Sequence, residues 1–147
     1  MKHFLLNNTS AFIVHLVLIL VMVALLFALK KTGLAPEMFP AAHILSFVML
    51  VLYFLSGYFL SGSLCYRYDN VLMNFLSVSG IFFLGIILWI YCAVNQGSWF
   101  IQMNYLLYVP FSASLNELLK ISEYSKINLI YSAFPSILVC AGIYSRK

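Results

Sequence analysis

The chain has 147 residues, of which 64% are hydrophobic and 8% charged, with a mean hydropathy of +1.01. Such values lie far outside the range of water-soluble domains, and the length leaves room for one compact unit. The net charge of +4 is modest, and the basic residues flank apolar runs instead of clustering; this argues for lipid headgroups and against nucleic acid as their partner.

Charge placement divides the chain. Charged residues occur as Lys2; Lys30, Lys31 and Glu37; Arg67 and Asp69; Glu117 to Lys126; and Arg146 with Lys147. The stretches between them, 3–29, 38–66, 70–116 and 127–145, carry no charge. A helix needs about 20 apolar residues to cross about 30 Å of hydrocarbon. The pattern predicts an all-α integral membrane protein, a single polytopic domain of four transmembrane helices. An interfacial or re-entrant segment and a short amphipathic helix are expected between the third and fourth.

The first span is expected over 11–29. Its apolar run is too long for the core of a signal peptide and ends in Lys30-Lys31 without a small-residue cleavage pattern, so it is read as retained. The preceding "NNTS" contains overlapping glycosylation sequons, but its position just before an apolar run suggests that Thr9 or Ser10 caps the helix. Gly33, Pro36 and Pro40 then break the chain, and the second span is expected over 41–60. "CYRYDN" follows as a turn that places Arg67 and Asp69 between tyrosines at the membrane surface.

The third span is expected over 71–94. The stretch 99–126 comes next, apolar but interrupted by Gln102, Asn104 and Pro110. Its aromatic part is too short to cross and rich in residues that favour the headgroup layer. "SLNE", Ser114 to Glu117, has the form of a capping box that opens a short amphipathic helix. A fifth crossing is the alternative for this stretch. The last span, 127–144, contains Pro135 and is expected to kink there.

Small residues recur one helical turn apart: Ala24 with Ala28, Gly57 with Ser61, and Ser132 with Ser136 and Cys140. With Gly80 and Gly85 they are the candidates for close helix packing or for a partner interface. Trp99, Tyr105, Tyr108, Arg67 and Asp69 are the candidates for surface recognition.

Chemistry is scarce. No Asp, Glu, Lys or Arg falls inside an expected span, which counts against a proton-coupled pump or a membrane-embedded hydrolase. His15 and His43 lie at opposite ends of an antiparallel helix pair, and His15 is the deeper. Cys65, Cys92 and Cys140 form no CxxC pair, and HExxH, GxSxG and P-loop patterns are absent. No catalytic residue, cofactor or metal is therefore expected. The expected function is that of a non-enzymatic accessory, regulatory or protective component of a larger membrane system. Its partner would be another membrane protein or a second copy of the chain. The alternative is a subunit of an oligomeric channel or transporter, lined by Asn74, Ser77 and Ser79 or by Gln102 and Asn104. Lys and Arg divide equally between the two faces, so the expectation of cytoplasmic termini in the plasma membrane rests on the long aromatic loop facing outward.

Overall fold

The computed structural model describes residues 1–31, 39–94 and 128–146. Over these the protein is helical: α1 (Lys2–Lys31), α2 (Phe39–Leu60), α3 (Val71–Ser77), α4 (Gly80–Val94), α5 (Asn128–Tyr131) and α6 (Phe134–Ser145). Among the described residues there is no strand element, and an isolated bridge between Ser61 and Cys65 closes the tight turn after α2.

One described helix is long and apolar enough to cross a membrane: α1, over Lys2–Leu25, with a mean hydropathy of 2.3. α3 and α4 meet the same criterion only together, across a bend of 56°. The apolar stretches of α2 and α6, Ile44–Leu60 and Phe134–Ser145, are shorter.

The element boundaries depart from expectation in physically instructive ways. α1 begins at Lys2, not at 11, and carries the polar "NNTS" inside it. Thr9 is no cap: its hydroxyl donates to the Leu5 carbonyl (3.0 Å), one turn back in the same helix. Ser10 is likewise helical, and buried. The polar run does not end the helix because its asparagines find partners on other elements. The expected third span, 71–94, is broken at 78–79, where the amides of Val78 and Ser79 bond back to Phe75 and Leu76 in tight three-residue turns. The last expected span is interrupted as well. Position 127 lies outside the described residues, α5 stops at Tyr131, and Pro135 sits in the first turn of α6, where its missing N–H costs nothing. Pro135 thus opens a helix where a kink inside one was expected. The stretch 99–126, with Trp99, Tyr105 and Tyr108, also lies outside the described residues.

α6 packs most extensively on α2. Their backbones touch: a Cβ added to Gly57 would lie 2.9 Å from Val139 Cα and overlap the Val139 carbonyl oxygen. A Cβ on Gly142 would lie 2.7 Å from the Tyr58 nitrogen and overlap the Phe54 carbonyl oxygen. Only hydrogen at both positions permits this approach. Met49, Tyr53, Ile81, Val139 and Ile143 fill the core around it, and α1 closes one side with Ala11, Leu18 and Met22.

Substituting either Gly57→Ala or Gly142→Ala should force α2 and α6 apart. Each is expected to lower stability by about 1–3 kcal/mol, read from the unfolding midpoint in mixed micelles. An unchanged midpoint would show that the contact is looser than described.

Candidate functional site

The start of α1, the turn after α2 and the end of α6 meet at one end of the bundle. His3, Leu6, Ser61, Cys65, Arg67 and Arg146 help to line a cavity of about 530 Å³ there. What holds this end together is a set of small polar side chains that stand in for absent secondary structure.

Residues 66–68 run without helix or ladder, so their backbone groups need partners from elsewhere. Two asparagines supply them. Asn7 of α1 accepts from the Tyr66 N–H (2.8 Å) and donates to the Tyr66 carbonyl (2.8 Å). Asn74 of α3 does the same for Tyr68, at 2.8 and 2.7 Å. Each side chain therefore pairs with one residue as a neighbouring strand would, and both asparagines are fully buried. Asn70 caps α3 by accepting from the Leu72 N–H (2.8 Å). His3 stacks on Tyr66 with ring centroids 4.6 Å apart, and Tyr66 meets Tyr68 edge to face.

The break between α3 and α4 is held by the same device. Asn7 Nδ2 also donates to Ser77 Oγ (2.9 Å), and Ser77 Oγ donates to the Asn74 carbonyl (2.8 Å). Asn8 Oδ1 accepts from the Gly80 N–H (2.7 Å), which opens α4. On the far side Ser136 of α6 donates to the Val78 carbonyl (2.9 Å). Three helices thus converge on one interruption and satisfy its free groups.

Arg146, just after α6, turns Nη1 to the carbonyls of Tyr58, Phe59 and Ser61 and so caps the end of α2. Arg67 Nη1 donates to the Arg146 carbonyl, and the Arg67 guanidinium lies 5.3 Å from the centroid of the Tyr144 ring. Tyr144 is also a wall of a second cavity, about 730 Å³, that runs between α3 and α6 along Val71, Phe75, Ile137, Cys140 and Ala141.

Reactive groups are few. Cys65 is buried and unpaired; burial pushes its thiol above the usual range, and a hydrogen bond with Ser10 opposes this in part. His15 Nδ1 and Tyr53 Oη lie 2.6 Å apart, and both residues are fully buried. Neither lines either of the two cavities. Among the described residues no three His, Cys, Asp or Glu side chains gather where they could hold a metal.

The residues singled out by spacing have distinct positions. Gly57 lies at the α2–α6 contact, and Ser61 Oγ is 3.5 Å from the Ile143 carbonyl. Ser136 reaches the α3–α4 break, Gly80 meets Asn8 there, and Ser132 and Gly85 are buried. Ala24 and Ala28 are exposed on α1. Arg67 is half-buried beside Arg146, whereas Asp69 is exposed. Asn7, Asn8, Gly142, Tyr144 and Arg146 had not been singled out. A signal for the first was present: continued back to Lys2, α1 places Asn7 in line with Ala11, Leu18 and Met22 at four- and seven-residue spacing.

Replacing Asn7→Leu removes the partners of Tyr66 and Ser77 at once. It is expected to cost about 2–5 kcal/mol, since each orphaned buried group costs about 1–3 kcal/mol. Thermal unfolding with Thr9→Ala as a comparison checks this; equal effects would mean that the clamp contributes nothing special. Cys65 should resist maleimide at neutral pH, because a raised pKa leaves little thiolate and burial blocks access. Its labelling should speed up only as the pH is taken above the usual thiol range, or on unfolding. Rapid labelling of the folded protein at pH 7 would contradict the described packing.

No family model, no curated protein and no solved structure matches this chain.

Proposed function

We propose that the protein is a four-pass membrane bundle that acts through contacts with another membrane protein, as a non-enzymatic accessory, regulatory or protective component. One observation carries this reading: fully buried polar side chains lie behind an exposed apolar perimeter. Asn7, His15, Asn74, Ser77 and Ser136 have no exposed surface, while Leu20, Phe47 and Phe59 are 68, 67 and 65% exposed. Water would penalise such an apolar perimeter, and a bilayer would welcome it.

Several features support the finer parts of this reading. α6 returns to the end where α1 begins and α2 stops, which favours an even number of passes and hence a non-crossing role for 99–126. The termini then share one side, which we assign to the cytoplasm of a cell with the protein in its plasma membrane. The channel alternative draws no support from its inner candidates, because Asn74, Ser77 and Ser79 bond within the chain. The partner face we favour is α1, where Ala24 and Ala28 form an exposed stripe of small residues among apolar ones. Trp99, Tyr105 and Tyr108 belong to the proposed outer recognition surface, with Arg67 and Asp69 on the opposite, cytoplasmic face.

Affinity purification of the tagged chain in mild detergent should bring down one membrane protein, or a second copy, in fixed ratio. Ala24→Leu with Ala28→Leu should leave folding intact and weaken that retention roughly tenfold, about 1.4 kcal/mol. Recovery of a lone monomer after cross-linking in the membrane would sink the accessory role.

A further inference from the structure

The two cavities at the end of the bundle meet at the Arg67–Tyr144 contact and differ in charge. One is lined by Arg67 and Arg146. The other is an apolar groove between α3 and α6, lined by Val71, Phe75, Ile137 and Ala141. Tyr144 joins them, because its ring packs against the Arg67 guanidinium and walls the groove. We propose that together they bind one anionic phospholipid, with its phosphate at the two guanidinium groups and an acyl chain along the groove.

Charge and unspent donors favour this occupant. Each arginine uses Nη1 on backbone carbonyls of the chain. Neither Nη2 forms a hydrogen bond among the described residues, so each guanidinium keeps a donor for a ligand. Guanidinium groups present planar, paired donors suited to phosphate oxygens. The exposed Asp69 carboxylate on the same turn makes no ion pair among the described residues, so it does not neutralise either arginine. The groove volume falls within the range of pockets that enclose small apolar ligands. A soluble phosphate would use the arginines but leave the groove bare; a lipid uses both. The proposal rests on the membrane reading above.

The test uses the full chain extracted from carbonate-washed membranes, with retention of dioleoyl phosphatidylglycerol and dioleoyl phosphatidylcholine compared by native mass spectrometry. The wild type should hold the anionic lipid about tenfold more tightly. Arg67→Gln should bring the two lipids to within about twofold, while Arg67→Lys, which keeps the charge, should restore much of the preference. Ala141→Phe, which fills the groove and leaves both arginines in place, should weaken anionic-lipid retention about tenfold at an unchanged unfolding midpoint. Glycerol 3-phosphate should not displace the lipid. Equal retention of both lipids by the wild type would overturn the site, as would displacement by glycerol 3-phosphate combined with no effect of Ala141→Phe. If the chain is lost to the soluble fraction at the carbonate wash, the membrane reading falls, and this site with it; retention in the membrane with equal lipid binding removes the site alone.

Discussion

A backbone N–H or carbonyl kept from water must find a partner, and this chain has two places, one partly and one fully buried, where helix geometry provides none. The partly buried one is the irregular run at 66–68, the other the break at 78–79. Asn7, Asn8, Asn74 and Ser136 answer both, drawn from α1, α3 and α6. The rest of the arrangement follows from that solution. α1 must lie where its asparagines reach the turn, and α6 must pass close enough for Ser136 to reach Val78. The Gly57 and Gly142 contact then fixes how near α6 comes to α2.

The helical class, the end of α2 and the outer limits of α3 and α4 were legible in the chain's charge spacing, because charges cannot be carried cheaply across hydrocarbon and so mark the ends of apolar runs. That signal is blind to an interruption made of small uncharged residues. "SVSG", residues 77 to 80, carries no charge, and its Ser-Gly pair is a weak turn signal that charge spacing does not register. Its break depends on partners that lie 58 and 72 residues away in sequence. "NNTS" misled in a similar way: ahead of an apolar run, polar residues look like a cap, and only the folded chain shows that Asn7 and Ser10 are buried while Thr9 stays exposed. Helical spacing of small residues found Gly57 and Ser136. It could not find Gly142, whose neighbours one turn away are large and whose fit depends on the shape of α2.

The end of the bundle therefore combines rigid and available elements. The asparagine clamps and the Arg146 cap are committed to backbone groups, which holds the turn in one shape. Arg67, stacked on Tyr144, is committed on one nitrogen only. A charged group held by its neighbours but not neutralised by them is well placed to act on something outside the chain, while the buried His15 and Tyr53 pair is sealed from both cavities.

The Asn7 clamp also has a consequence in time. Its partner Ser77 lies 70 residues further along the chain. At a synthesis rate of about 5–20 residues per second, that separation is roughly 4–14 seconds of translation. Through that interval α1, which precedes its partners in the chain, carries Asn7 without the groups it bonds in the fold. Ser136, which completes the break, emerges later still. Asn7 reaches its final pairing only after the turn and α3 have been made, so the described helix long and apolar enough to cross a membrane by itself depends on later segments to complete its polar contacts.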